Sequence, residues 1–506
     1  MNFKRVLVAN RGEIALRVVR SLREMGITSV AVFSDADREE LHVRAADEAY
    51  PIGPPAPSRS YLRIDKLVEV ARAARCDAVH PGYGFLSENA AFAAAVEGAG
   101  VVFIGPTPSA IEAMGDKLRA RQTMIAAKVP VVPGSERPLA TMKEVHAAAT
   151  AAGFPVALKA VAGGGGKGIR IVRESKDLES AFRRASSEAE AAFGNGAMYL
   201  ERFLEGPRHI EVQVLADTQG NTVHLGEREC SIQRRHQKLL EESPSPFVDE
   251  AMRRRMGAAA VLAARAVNYR GAGTVEFLVD RDGSFYFLEM NTRIQVEHPI
   301  TELTYGVDLV RLQVRIAEGR PLPFRQEDLR PQGHAIEIRL TAEDPAQGFL
   351  PQTGRVTALR LPRGPGIRVD SHLYPGQEIG LWYDPMIGKI IAHGRNRDEA
   401  IARMRAALVE MRLVGLRTGA PLLLRLLDDG RFRRGETDTA YLESFVREVD
   451  WNTLPDLNGL PAEIPAVITA VLHAHARQGA ARAVLPRGNG GARSAWLEAG
   501  RREGLR

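Results

Sequence analysis

Cysteine is almost missing from this chain: Cys76 and Cys230 are the only two in 506 residues. That excludes a disulfide scaffold and a cysteine zinc cluster, and it suits a reducing cytoplasm as the expected location. No apolar run approaches the roughly 20 residues that cross a bilayer, and the first residues enter the strand-like Val6-Leu7-Val8-Ala9 without a signal peptide pattern. No membrane association is therefore expected. A glycine fingerprint for dinucleotides is also missing, because the first strand ends in Asn10-Arg11-Gly12-Glu13. Without it, Asp35 and Asp37 are expected as loop or cap residues, not ribose ligands. A distributed basic surface is lacking too. The net charge is +6, but beyond Ala476 seven arginines stand against two glutamates, so residues 1–476 carry only about +1. A basic tail on a neutral body does not predict nucleic-acid binding.

What is present is enough apolar residue, 45%, for a large core, and a length that suggests about three domains. Residues 1–114 alternate strand and helix signals ("RVLVAN", "GEIALRVVRSLREMG", "SVAVFS", "IDKLVEVARAA", "DAVHPG", "ENAAFAAAVEGAG", "VVFIGP"). The alternation predicts an α/β fold with a parallel, doubly wound sheet. Prolines in "AKVPVVPGSERP" mark a boundary, and a small α/β lobe is expected over about 132–204 within a region 115–330. "PLPF" at 321–324 breaks the chain before an α+β region, 331–446, with strands "HAIEIRL" and "GRVTALRL" and the helix "RDEAIARMRAALVEM". Residues 447–506 form a basic extension of unknown role, with one helix expected around 467–475.

Two segments carry chemistry. "AGGGGKG" places Gly163, Gly164, Gly165, Gly166, Lys167 and Gly168 between two strands. No Ser or Thr follows the lysine and no helix follows the loop, so this is not a Walker A loop. Four glycines exceed what a turn needs and suit a flap whose N–H groups fold over an anion; a flexible turn is the plain alternative. In "GAGTVEFLVDRDGSFYFLEMN", Asp282-Gly283 predicts a two-residue hairpin loop. Arg281 then faces Ser284, and Glu276 falls directly across from Glu289. Like charges at that spacing repel. Magnesium or manganese between hard oxygen ligands would compensate, as would one protonated carboxyl or a neighbouring Arg or Lys. Asn291 lies on the same face as a third oxygen ligand. In "EMNTRIQVEH" every second residue from Glu289 to Glu297 is polar, so an extended chain would line a polar edge next to the core.

These strings, together with "ANRGEIALR", "HPGYGFLSEN", "MGDK", "ERECSIQRRHQK", "AEDP" and "YDPMIGK", resemble biotin carboxylase, an ATP-grasp ligase, from about residue 2 to about 446. The resemblance implies that ATP and bicarbonate form carboxyphosphate, which carboxylates N1 of biotin carried by a separate protein. By matching motifs, Lys117 and Lys159 hold ATP phosphates under the Gly163–Gly168 flap. Glu201 and Leu204 border the adenine, and His209, Gln233 and His236 lie near the ribose and phosphates. Glu276, Glu289 and Asn291 are the implied ligands of Mg2+ or Mn2+. Arg293, with Gln295 and the backbone of Val296, holds bicarbonate; Glu297 is the general base, Lys238 adds positive charge, and Arg339 stabilises the biotin enolate. Arg202 and Phe203 stand where the family often has Lys and Tyr, which puts any contact from that Lys side chain in doubt. His80 is expected to be structural, and His473 and His475 to be solvated.

No lysine between methionines marks a biotin attachment hairpin; the nearest string, "EAMRRRM", lies in a charged helix. The expected partners are a second copy in a homodimer, a biotin carboxyl carrier protein and a carboxyltransferase component, as in acetyl-CoA carboxylase or a related acyl-CoA carboxylase that serves fatty acid biosynthesis. Two other readings compete. Another ATP-grasp ligase would not need Arg293 to Glu297 together with Arg339. A nucleotide-binding regulatory protein would tolerate loss of Glu297, Lys238 or Arg339, and all three are present.

Overall fold

A computed structural model of the chain describes residues 1–161, 169–455 and 457. The Gly163–Gly168 loop, the expected helix at 467–475, and His473 and His475 lie outside the described residues. In the N-terminal part, five parallel strands run in the order Glu48–Gly53, Thr28–Ser34, Arg5–Val8, Ala78–His80 and Val102–Phe103. The central strand explains why the fold is doubly wound. Val6 and Val8 enter one core with Ile14, Val18 and Leu22, while Leu7 enters another with Val30, Leu67 and Phe92. A strand buried on both faces reads as a continuous apolar run. The strand Glu48–Gly53 escapes such reading: it contains Pro51 and only one buried residue, Ile52, and it lies at the sheet edge, where a missing N–H is tolerated. Asp37 corrects another expectation. It is buried, accepts two hydrogen bonds from Arg11 (2.8 and 2.7 Å) and one from Tyr61 (2.5 Å), and is no plain loop residue. His80 is structural as expected, buried with Nδ1 accepting from Gly82 N–H and Nε2 beside Gln313.

A small lobe follows. Strands Ile169–Val172, Val156–Ala160 and Met198–Arg202 form an antiparallel sheet backed by helices Met142–Ala152 and Leu178–Phe193. Thr141 and Glu144 close a capping box that starts the first helix. The largest element is an eight-stranded antiparallel sheet. Its order is Phe285–Asn291, Gly271–Val279, Arg208–Ala216, Thr222–Arg234, Gln237–Ser243, His334–Thr341, Met386–Gly394 and Ile367–Ser371. It draws strands from both 115–330 and 331–446, so residues far apart in sequence share one face. The segment "GRVTALRL" is not one strand. Gly354–Arg355 and Ala358–Arg360 pair with different partners, Glu378–Ile379 and Arg412–Val414.

Glu242 ties this sheet to the helix Arg397–Glu410. Its carboxylate lies 2.7 Å from His334 Nε2 and accepts from Arg397 Nε at 2.6 Å and Nη2 at 3.0 Å. Burial opposes ionisation, but His334 and Arg397 outweigh it and bring the carboxyl from 4.5 down to about 2. A depressed carboxyl pKa stabilises the fold above the unfolded value and ceases to do so as pH falls through the folded one. The expected result is that Glu242→Gln costs about 3 kcal/mol at pH 7, the equivalent of the drop from 4.5 to about 2. That difference should narrow as pH falls below about 4.5. Urea unfolding of both forms from pH 7 to pH 3 measures it; a gap independent of pH would disprove the account.

Candidate active site

The carboxylate pair forms, but by a different route from the expected one. The hairpin loop has three residues, not two: Asp280 N–H donates to Ser284 O (2.8 Å), and Gly283 N–H to Asp280 O (3.1 Å) with φ +80°. Only glycine adopts that conformation readily. The extra loop residue shifts the register, so Val279 faces Phe285 and Phe277 faces Phe287. An irregularity between Glu276 and Phe277, with Leu288 as the additional residue, shifts it back, and Glu276 faces Glu289. Two departures cancel. The Glu276 carboxylate is fully engaged: it accepts from Asn291 Nδ2 (2.8 Å), Gln295 Nε2 (3.0 Å) and Lys238 Nζ (3.1 Å), and lies 2.9 Å from His209 Nε2. Burial opposes its ionisation, but Lys238 and His209 overcome that and lower its pKa. Glu289 is the opposite case. It opens onto a cleft, and no hydrogen bond or ion pair from the described residues reaches it. Its pKa is raised, by burial first and by Glu276 second. An unpartnered carboxylate opposite a buried one fits a divalent cation. Asn291 fits less directly, because its Oδ1 accepts from Arg293 Nη2 (2.9 Å).

The expected extended edge does not form, because the strand ends at Asn291. Beyond it the chain turns, and hydrogen bonds do the alignment that pleating would have done. Arg293 donates to Glu88 (2.7 Å), Gln295 (2.9 Å) and Asn291. Glu297 occupies the residue before the helix His298–Tyr305, and its buried carboxylate accepts from Lys238 Nζ (2.6 Å) on one oxygen and Arg339 Nη2 (2.9 Å) on the other. Burial again opposes ionisation, yet Lys238, Arg339 and Arg228 hold this carboxyl well below its ordinary range. It is a carboxylate at neutral pH, buried behind the cleft-lining Lys238 and Arg339.

Behind it lies a charged layer. Arg228, fully buried, donates to Glu211 (2.5 Å), Gln213 (2.7 Å), Thr301 (2.9 Å) and Thr274 (3.0 Å). Glu211 also accepts from Lys238 (2.6 Å), and Glu241 accepts from Arg339 (2.6 Å). Burial lifts the Glu241 carboxyl to about 7 despite Arg339. Lys238 stays charged: burial opposes this, but the glutamates around it, Glu211, Glu276 and Glu297, outweigh that and raise its pKa.

The cleft has a volume of about 1350 Å³, and its lining includes Lys117, Lys159, Glu201, Leu204, His209, Gln233 and His236. It also includes Lys238, Glu276, Glu289, Asn291, Arg293, Gln295, Val296 and Arg339, whereas Glu297 is reached only through Lys238 and Arg339. Lys159 pairs with Glu201, which also receives Arg121 (3.2 Å). Gln233 Nε2 lies 3.4 Å from His209 Nδ1. Arg235 and His236 (φ +49° and +66°) form the tip between strands Thr222–Arg234 and Gln237–Ser243. Two successive non-glycine residues in the left-handed region cost energy, and here they hold both residues against the cleft. Arg202, one of the two departures from the family pattern, has its Nη2 3.8 Å from Asp280.

Sequence reasoning missed Glu211, Glu241, Arg228 and Glu88. For Glu211 a signal existed: "RHIEVQV" alternates His209, Glu211 and Gln213 on one strand face, and Glu211 is the register partner of Glu276. For Glu88 there was none. It comes from the N-terminal part to hold Arg293, 205 residues away in sequence.

Three family models match the chain: biotin carboxylase, N-terminal domain, over residues 2–111; carbamoyl-phosphate synthase L chain, ATP binding domain, over 116–325; and biotin carboxylase C-terminal domain over 337–444. Biotin carboxylase 1 of Bacillus subtilis is 52% identical over 443 residues, which cover 87% of this chain and 98% of that protein. The biotin carboxylase of Nostoc sp. is 52% identical over 450 residues, 89% of this chain and 100% of that protein. Among solved structures, the biotin carboxylase of Campylobacter jejuni in a βγ-ATP complex aligns with TM-score 0.83 and 46% identity, covering 88% of this chain and 99% of that one. The biotin carboxylase domain dimer of the Hydrogenobacter thermophilus 2-oxoglutarate carboxylase, with MgADP, ADP and bicarbonate, aligns with TM-score 0.82 and 47% identity, covering 89% and 100%. The motifs, the ATP-grasp architecture and identity of about half over nearly the full length of these proteins agree: the chain belongs to the biotin carboxylase family.

Proposed function

We infer that this chain carboxylates biotin on a separate carrier protein, using ATP and bicarbonate, as the first half-reaction of a biotin-dependent carboxylase. The observation that carries the reading is Glu297, a buried carboxylate held between Lys238 and Arg339 at the cleft. Bicarbonate attacks the γ-phosphorus of ATP, giving carboxyphosphate and ADP; the carboxyl group then passes to biotin N1 as its bond to the phosphate oxygen breaks, and the departing phosphate takes the N1 proton. In this reading Arg293, a planar donor fork, aligns the bicarbonate. Glu297 removes its proton, and Lys238 offsets the charge that follows. Arg339 stabilises the ureido oxygen of biotin as negative charge develops. Lys117, Lys159 and the Gly163–Gly168 flap are proposed phosphate contacts; Glu201, Leu204, His209, Gln233 and His236 are the remaining proposed nucleotide contacts. Glu276, Glu289 and Asn291 would hold Mg2+ or Mn2+, which would supply positive charge to offset that on the reacting phosphates.

The proposed assembly is a homodimer that works with a carrier protein and a carboxyltransferase in a cytoplasmic acyl-CoA carboxylase, acetyl-CoA being the substrate we favour. Support comes from relatives named biotin carboxylase that this chain matches almost end to end, and from a solved domain dimer. Among the described residues no helix is long and apolar enough to cross a membrane. The test of function is ADP release with and without bicarbonate and free biotin. Cleavage should need bicarbonate and rise with biotin; cleavage indifferent to both would remove the reading.

A further inference from the structure

The turn at Val296 and Glu297 is gripped by three cations from the sheet, Lys238, Arg339 and Lys389, and the chemistry above uses only the first two. Arg339 and Lys389 are register partners on adjacent strands. Arg339 donates to the Glu297 carboxylate, and Lys389 Nζ donates to the carbonyl of Val296 at 2.7 Å. Lys389 is 0% exposed, a costly place for an ammonium. Glu13 lies 3.1 Å away and itself accepts from the Tyr83 hydroxyl, and Asp370 is opposite on the outer strand. Glu337, two residues before Arg339, is buried with neither oxygen hydrogen-bonded. Burial disfavours the Lys389 charge, but Glu13 and Glu337 outweigh it.

Three motifs without a role in the phosphate chemistry meet here. "ANRGEIALR" supplies Glu13, "HPGYGFLSEN" supplies Tyr83 and "YDPMIGK" supplies Lys389. The glycine of "MIGK" has a reason as well. A Cβ on Gly388 would lie 2.7 Å from Ser371 Cβ, so glycine lets the outer strand close beside Lys389. A charge-assisted bond to a carbonyl locks the orientation of its peptide plane. That plane lies between the Val296 N–H and the Glu297 side chain. We propose that Lys389 is a positioning residue for bicarbonate, holding the 296–297 peptide so that the Val296 N–H and the Glu297 carboxylate meet the same anion. This rests on the biotin carboxylase reading of the turn.

The test uses the full chain as Lys389→Met and as the double variant Glu13→Gln/Lys389→Met, which removes both charges of the pair. ADP release is measured with bicarbonate and with ATP varied in turn, alongside thermal unfolding. In both variants the KM for bicarbonate should rise about tenfold or more and kcat fall about tenfold, while the KM for ATP stays within about twofold; misplacing a reacting group by about an ångström has effects of this order or larger. Equal changes in both KM values, or unchanged bicarbonate kinetics in folded Lys389→Met, would overturn the proposal. Normal bicarbonate kinetics in the double variant would also overturn it, by tracing the single variant's defect to a stranded Glu13. Wild type without bicarbonate-dependent cleavage would instead overturn the reading of function.

Discussion

Glu297→Gln is expected to lose bicarbonate-dependent ATP cleavage and biotin carboxylation together, each by about a hundredfold or more, the usual scale for a general base. The amide cannot take the bicarbonate proton, and carboxyphosphate formation stops at its first step. The fold should survive. Lys238 keeps Glu211 and Glu276 as partners, and Arg339 keeps Glu241. Arg339→Ser should fail differently. Its charge matters once biotin N1 is deprotonated, so cleavage without biotin should persist in part while carboxybiotin disappears. The partner it leaves, Glu241, is already raised to about 7 by burial, and without Arg339 it takes up a proton and leaves no buried charge unpaired. ADP and carboxybiotin measured side by side decide the matter. If Arg339→Ser loses biotin-independent cleavage as fully as Glu297→Gln, the division of labour is wrong. If neither variant loses carboxylation, the enzyme assignment itself fails.

Replacing Glu289 by Gln should lower turnover by about a hundredfold or more, in line with electrostatic contributions to phosphoryl transfer. Nucleotide binding without metal should change little. The geometry supports the asymmetry. Glu276 is occupied by Asn291, Gln295, Lys238 and His209, so Glu289 is the carboxylate with capacity to spare for a cation. The magnesium concentration for half-maximal rate should also rise, because one ligand charge is gone. Wild-type turnover at ordinary magnesium in Glu289→Gln would end the assignment of Glu289 as a metal ligand. Stability is expected to hold or improve slightly, since the variant removes a charge disfavoured by burial first and by Glu276 second.

Local physics made part of this protein legible in one dimension. The run Val6-Leu7-Val8 is apolar at every position because the strand is covered on both faces, and the alternation of strand and helix signals along 1–114 implies the doubly wound sheet. Asp282-Gly283 implies a hairpin and brings Glu276 to Glu289, although the three-residue loop and the irregularity at Leu288 show that the correct pairing came from compensating shifts. A turn type depends on one or two dihedral angles, and a bulge depends on what packs against it, so neither was readable from residue types. The edge strand Glu48–Gly53 had too few buried residues to leave a pattern. The ordered motifs identified the family because each is a chemical requirement repeated at a spacing of its own. Only tertiary structure determined the electrostatics. Glu88 and Lys389 touch the turn at 293–297, while Glu211 and Glu241 hold Lys238 and Arg339, the cations that touch Glu297; the four come from separate strands or loops. Whether Glu297 is a carboxylate and Glu241 lies near 7 follows from which cations lie within hydrogen-bond distance and how little water reaches them. Those are properties of three-dimensional neighbours, and no spacing along the chain encodes them.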